Sequence, residues 1–198
     1  MRKVIFLEHI SLDGKFEGPA GPMDIGWIYY NEELQNKGHV LHATTDAAIY
    51  GRITFGMMEG YFPTLLDQPE DSADGDVKHA HWLDKATKYV FSKTVDHYNW
   101  RNTVVLHDIV AEEIQGIKEQ PGKDMWLLGS PTVAQEFMRL GLIDEYWLTV
   151  SPIVLGGGRG LFDNLNKELK LKLLSAEALE NGVVILKYKP DTATITEA

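Results

Sequence analysis

Twice along this chain a short run of β-forming residues stops at a glycine and restarts at once as a helical pattern. The first is Asp46-Ala47-Ala48-Ile49-Tyr50, halted by Gly51 and followed by Ile53-Thr54-Phe55-Gly56-Met57-Met58. The second runs from Asp124 to Leu128, passes through Gly129, and restarts at Ser130-Pro131-Thr132 with a helical face of Val133, Phe137 and Leu140. Ser130 suits an N-cap and Pro131 the first helical position, so this helix start is well marked. A strand feeding directly into a helix implies a crossover of the kind that joins parallel strands, which restricts the chain to an α/β sheet covered on both faces.

The remaining pattern agrees. Residues 3 to 10 are rich in β-formers and stop at the turn signal Ser11-Leu12-Asp13-Gly14. Gly14 to Gly26 holds four Gly and two Pro, the composition of a surface loop of the lid type. Trp27 to about Ala43 reads as a helix interrupted near Gly38, and residues 63 to 78, with five Asp or Glu, as an acidic solvated loop. Lys88 to Phe91 and Thr103 to Leu106 are further strands, and Val110, Ile114 and Ile117 mark a helix between them and the strand at 124. Leu142 to Ile153, Leu169 to Leu174 and Val183 to Tyr188 follow with no helix-length segment between them, so an antiparallel edge closes a mixed, mostly parallel sheet. The tail from Asp191 reads as frayed. No linker or repeat divides the 198 residues, so one domain is expected, with its core over about residues 2 to 188.

Composition narrows the function. With no Cys there is no disulfide, thiolate metal site or cysteine nucleophile, which suits a reducing compartment. A formal charge of −10 without a basic cluster argues against nucleic acid. The N-terminal apolar run is broken by Glu8, His9 and Asp13 before signal or membrane-spanning length, so a cytoplasmic chain with no membrane partner is expected.

In open α/β sheets ligands bind beyond the carboxyl ends of the strands, so the strand exits are the informative places. At Tyr50-Gly51-Arg52-Ile53-Thr54, glycine lets the backbone approach a phosphate, the helix start offers N–H groups and Arg52 adds charge; an ordinary glycine turn is the alternative. Ser92, Lys93 and Thr94 leave the next strand with two hydroxyls and an ammonium, as a nucleotide 2′-phosphate or adenosine edge requires, although polar residues end many strands. Gly129, Ser130, Pro131, Thr132 and Val133 form the geometry that cradles a pyrophosphate, without the full Gly-x-Gly-x-x-Gly of a dinucleotide fingerprint. Gly156-Gly157-Gly158-Arg159-Gly160 lacks the Lys-Ser/Thr ending of a P-loop, and no Gly-x-Ser-x-Gly elbow is present. The pairs His39 with His42 and His79 with His81 have metal-compatible spacing, but neither comes with a third ligand motif, so no metal is expected.

Taken in order, Ser11 to Gly14, Tyr50 to Phe55, Tyr89 to Thr94, Leu128 to Thr132, and Gly141 to Glu145 with Pro152 to Phe162 resemble the dihydrofolate reductase-like superfamily. The likeness is closer to the C-terminal reductase domain of bifunctional riboflavin-biosynthesis (RibD) proteins. It implies a three-layer α/β/α fold and an NADPH-dependent reductase acting on a small heterocyclic or carbonyl substrate. It places the cofactor phosphates on Tyr50, Gly51, Arg52, Thr54 and on Gly129 to Val133, with Arg52 and Lys93 near the 2′-phosphate. The Asp13-Gly14 loop, Trp27 and Gly157 would border nicotinamide and substrate. Asp13 is the first candidate to orient substrate or relay a proton, with Glu32 and Glu33 behind it. Riboflavin-pathway reductases usually carry an acid followed by two glycines where this chain has Leu128-Gly129-Ser130. A homodimer through the C-terminal strands is expected by analogy; a non-catalytic NADPH-binding or sensor domain is the alternative.

Overall fold

The structure, a computed structural model, describes residues 1–71, 75–163 and 165–191. Its strands are β1 (Val4–Ser11), β2 (Lys15–Glu17), β3 (Thr45–Gly51), β4 (Thr87–Phe91), β5 (Thr103–Leu106), β6 (Asp124–Leu128), β7 (Glu145–Ser151), β8 (Arg159–Gly160), β9 (Leu171–Ala178) and β10 (Val184–Pro190). Its helices are α1 (Glu32–Thr44), α2 (Arg52–Tyr61), α3 (Gly75–Lys85), α4 (Ala111–Glu119) and α5 (Pro131–Arg139), with a short 3-10 turn over Phe62–Leu65.

Alternation along β1 sets the architecture. Val4, Phe6 and Ile10 join one apolar cluster, while Ile5 and Leu7 join another on the opposite face, so the strand is buried on both sides as a central parallel strand must be. It pairs in parallel with β6 on one side and β7 on the other. The eight-stranded order is β5-β4-β3-β6-β1-β7-β10-β9, antiparallel only where β10 meets β7 and β9. The mixed sheet with its antiparallel C-terminal edge is the one expected from the pattern. Ile114 of α4 and Val133 and Phe137 of α5 pack on the Phe6, Ile49 and Leu127 face. Leu41 of α1, Phe55 of α2 and Ala80 and Leu83 of α3 cover the other. Among the described residues no helix is long and apolar enough to cross a membrane.

Two expectations are corrected. The helix expected from Trp27 begins at Glu32, because the Asn31 side chain accepts the Leu34 N–H and caps it there, and it continues through Gly38 without a break. The segment read as an acidic loop over 63 to 78 contains the 3-10 turn and the start of α3; residues 72–74 lie outside the described part. α3 is anchored by the fully buried Lys88, whose Nζ donates to the Leu83 and Ala86 carbonyls at 2.7 and 2.9 Å and so satisfies the helix's C-terminal end. The tail beyond Asp191, read as frayed, lies outside the described residues.

The glycine-rich segment folds back as β8 against β2. Gly158, at φ +95°, lets this happen: a Cβ there would stand 2.0 Å from the Glu17 carbonyl oxygen. Asp13 closes the same unit by accepting the Leu155 and Gly156 N–H groups at 3.1 and 3.0 Å.

Candidate active site

Adjacent strands β3 and β6 send their connections to opposite faces of the sheet, β3 into α2 and β6 into α5, which opens a crevice at their carboxyl ends. Both helices start there without a side-chain cap and without an acid in the first turn. α1, α3 and α4, which start elsewhere, all carry first-turn acids. Ser130, expected as an N-cap, has its backbone in the left-handed region (φ 55°), and its hydroxyl instead accepts the Gly51 N–H at 2.8 Å, tying the two helix starts together. Gly51 eases that approach, since a Cβ would stand 3.1 Å from Val133 Cγ2, a tight contact. Helix starts of this kind present backbone N–H groups and the positive end of the dipole, the requirements of an anion site.

Around this crevice Arg52 and Thr132 are exposed, Thr54 and Pro131 half-buried. Tyr50 departs from the expectation: its side chain is fully buried against Phe55, so only its backbone is left for a ligand. At the neighbouring exit of β4, the Ser92 hydroxyl accepts the Thr94 and Val95 N–H groups within its own turn. Lys93 and Thr94 are exposed there, and Lys93 stands 3.5 Å from the Asp108 carboxylate.

On the α1 face, at the carboxyl ends of β1, β6 and β7, lies an open pocket. Leu7, Leu128, Trp126 and Trp147 give it apolar walls. The Leu128 side is where riboflavin-pathway reductases usually carry their acid, so that wall is apolar here. His9 continues the inward alternation of Ile5 and Leu7 and hydrogen-bonds through Nδ1 to the Thr149 hydroxyl. Burial lowers its pKa to about 4, so the ring is neutral at pH 7 and its Nε2 is left for a ligand. Gln35 of α1 donates to the Asp76 carboxylate of α3 at 2.7 Å, and Tyr61 holds the other oxygen at 2.9 Å. Lys37, Glu177 and Lys187 stand at the rim, Lys37 paired with Glu177 and Lys187 over the Trp147 ring.

The remaining candidates take other places. The Asp13 carboxylate accepts from the Ser11 hydroxyl as well as from two backbone N–H groups, which holds its pKa down at about 2. These bonds make it a latch between residues 13–18 and 155–160. Glu32 is exposed in the first turn of α1, and Glu33 accepts the Glu180 N–H at 3.1 Å; neither lines the pocket. From α1 the side chains that do are Leu34, Gln35, Lys37 and His39, and the pocket's carboxylates are Asp76 of α3 and Glu177 of β9. Trp27 is half-buried, with its indole donating to the Asp24 carbonyl, and Tyr30 lines the pocket in its stead. Gly157 packs on Pro19 at the lid.

Sequence reasoning missed His9, although its place in the alternation of β1 marked it as inward-facing. It also missed Asp76, whose signal was the Val77, Ala80, Leu83 spacing of a helix at the end of an acid-rich stretch, and paired His79 only with His81. The histidine reading is corrected as well. His39 and His42 acquire a third neighbour, His79 of α3, while His81 turns away to the Gln68 carbonyl. Burial lowers the pKa of all three, that of His42 to about 3, so they stand uncharged at neutral pH.

The sequence pattern of the RibD C-terminal domain matches residues 2–185. The chain belongs to the RibD C-terminal domain family. Within reach of this RibD C-terminal domain by sequence are two uncharacterized proteins of Bacillus subtilis (strain 168). YyaP is 30% identical over 189 residues, covering 94% of each chain, and YwjB is 29% identical over 183 residues, covering 92% of this chain and 95% of its own. Among solved structures, a putative riboflavin biosynthesis protein from Shewanella sp. PV-4 superposes with a TM-score of 0.71 at 22% identity, covering 96% of this chain and 99% of that one. The Thermotoga maritima diaminohydroxyphosphoribosylaminopyrimidine deaminase/5-amino-6-(5-phosphoribosylamino)uracil reductase gives 0.65 at 18% identity, over 96% of this chain and 57% of its own. Dihydrofolate reductase from Enterococcus faecalis, complexed with NADP(H), gives 0.60 at 14% identity, over 96% of each chain. At these identities the structural likeness is one of fold: the dihydrofolate reductase-like α/β fold expected from the sequence.

Proposed function

We propose that this RibD C-terminal domain protein is an NADPH-dependent reductase that transfers hydride to an electron-poor C=N or C=O carbon of a small heterocyclic or carbonyl substrate. The reading is carried by one observation: two helix starts, free of side-chain caps and first-turn acids, tied together by Gly51 and Ser130 at the switch point of the sheet. A pyrophosphate fits such a place because backbone N–H groups and both helix dipoles favour negative charge there. Arg52, with Lys93 at the next strand exit, supplies the cations that favour a 2′-phosphate and hence NADPH over NADH. When bound, NADPH supplies the hydride.

The chain's own part is to bind, orient and exclude water. Leu7, Leu128 and Trp147 offer flat apolar walls to a ring, while Gln35 and Asp76 offer a polar edge that fixes its orientation. His9 is neutral and held by Thr149, so in its Nε2–H tautomer it donates a hydrogen bond to the heteroatom beside the carbon being reduced, polarising it; solvent at the pocket mouth supplies the proton. The lid formed by residues 13–18 and 155–160 is latched by Asp13 and tied to α5 by Gln135, which donates to the Gly160 and Leu161 carbonyls. A homodimer would use β9, an edge strand exposed along nearly its whole length with Leu173 and Leu174 about half-exposed.

The test follows loss of reduced-nicotinamide absorbance with dihydrofolate, the riboflavin-pathway aminopyrimidine ribose phosphate, and a panel of quinones and carbonyls, with NADPH affinity titrated in parallel. Turnover of any of them supports the reductase and names its substrate class. Binding without turnover makes the protein a nucleotide-sensing domain, and absence of binding overturns the proposal.

A further inference from the structure

We propose that His39, His42 and His79 form a binding site for one transition-metal dication of the zinc class, with an open coordination position facing the substrate pocket. The proposal rests on how α1 packs against α3 and stands independently of the NADPH reading.

His39 and His42 are three residues apart on α1 and so share a face of that helix. α3 brings His79 against that face, and one nitrogen from each of the three rings lies within 4.8 Å of the others. His42 Nε2 and His79 Nδ1 are already 2.8 Å apart and share one hydrogen. A metal would take the place of that hydrogen, which moves to the far nitrogen of its ring. With metal–nitrogen bonds of about 2.0–2.1 Å, ligands of a tetrahedral site stand about 3.3 Å apart. The His42–His79 pair therefore opens by about half an ångström and the widest separation closes by about 1.5 Å, which is within reach of side-chain rotation.

The donor set chooses the metal. Three imidazoles with no carboxylate among them suit Zn²⁺, Ni²⁺ or Cu²⁺ and not Mg²⁺ or Ca²⁺. Three protein ligands leave a fourth position open, as in catalytic zinc sites. His39 and His79 line the pocket and His42 does not, so the open position looks into the pocket. Behind the cluster His42 stacks on Trp82 at 5.1 Å between ring centres, while Phe62 at 4.9 Å and Trp126 at 5.5 Å from His79 flank it as pocket walls. The Trp82 ring excludes competing water from the rear of the site. Asp76, one turn before His79 and held by Gln35 and Tyr61, places a carboxylate in the same pocket, and Lys78 lies on the same helix. The part of the cavity beside the cluster is thus built for a donor atom, nitrogen or oxygen, of a pocket ligand that completes the metal's coordination.

The experiment uses full-length protein without a histidine tag, stripped with a chelator and titrated with Zn²⁺ by calorimetry and with Co²⁺ by visible absorption. The expected result is one equivalent bound, with Co²⁺ d–d bands of a four- or five-coordinate nitrogen site. His39 is half-buried on the helix surface, so His39→Ala keeps the fold and weakens binding by at least about tenfold. His42→Ala does the same, while His107→Ala, in the other part of the chain where an imidazole faces a carboxylate, leaves binding unchanged. NADPH titration of the same His39→Ala protein gives the wild-type affinity, which separates this site from the cofactor crevice. No saturable binding, or binding that survives His39→Ala and is lost in His107→Ala, overturns the proposal.

Discussion

Replacing Thr132 by Asp separates the two things a helix start can hold. Thr132 is exposed in the first turn of α5, a turn with no acid and no side-chain cap, so the substitution disturbs no packing. In the protein alone, the new carboxylate meets the positive end of the helix dipole and stabilises by about 0.3–1 kcal/mol. In a chain of this length that raises Tm by about 1–4 °C. In the NADPH complex the same carboxylate faces the pyrophosphate. At about 5 Å and an effective dielectric near 20, two like unit charges repel by about 3 kcal/mol, reduced by salt to roughly half for a partly exposed pair. NADPH affinity therefore falls about ten- to a hundredfold while the free protein melts higher. Scanning calorimetry without nucleotide and an NADPH titration read the two effects separately, with Thr132→Ala as the neutral control. A raised Tm with unchanged NADPH affinity would refute the placement of phosphate on α5, and a lowered Tm would refute the reasoning about the helix start itself.

Asp13→Asn loosens the lid without removing a proton donor, so KM rises while kcat stays within about tenfold of wild type in steady-state assays; a kcat loss of about 10²–10⁴ would restore Asp13 as the acid. Glu8 is buried with one carboxylate oxygen unpartnered, and burial raises its pKa to about 8. Between its unfolded value of 4.5 and about 8 the folded state keeps a proton that the unfolded state has lost, so stability falls as pH rises through that range. The buried histidines act in the opposite sense only below their unfolded value of 6.5. From pH 6.5 to 8, denaturant titrations should therefore show stability falling with a slope of up to about 1.4 kcal/mol per pH unit, and Glu8→Gln should flatten it; an unchanged slope contradicts the assignment. Gly158→Ala forces a Cβ into the Glu17 carbonyl, so the β2–β8 pairing opens, stability drops by about 1–3 kcal/mol and proteolysis at residues 14–26 accelerates; a wild-type Tm and cleavage rate would show that the lid docks some other way. Leu173→Asp on β9 converts a dimer to monomer in light scattering, and an unchanged mass excludes that edge as the interface.

The strand exits were legible because each depends on a local signal. Gly51 and Gly129 mark where a strand must end, and Pro131 marks where a helix must begin. What Ser130 does was not legible: its hydroxyl goes to a residue 79 positions away, and only the pairing of β3 with β6 brings the two together. The pocket was hidden for a similar reason. Asp76 lies in a stretch whose acids and prolines read as loop and His79 directly follows it, while α3 holds its place through Lys88, a buried ammonium on β4. Asp13 was found, but its bonds across the lid were not legible. A carboxylate at a turn signals ligand contact and turn capping equally, and only the approach of Leu155 and Gly156 decides between them.

Amide hydrogen exchange with and without NADPH tests most directly the proposal that the two tied helix starts hold the phosphates of NADPH. The expected result is slowed exchange confined to peptides spanning residues 50–55 and 128–134, with NADH giving less protection at the same concentration. No NADPH-dependent protection in those two peptides, or protection found only elsewhere in the chain, would contradict it.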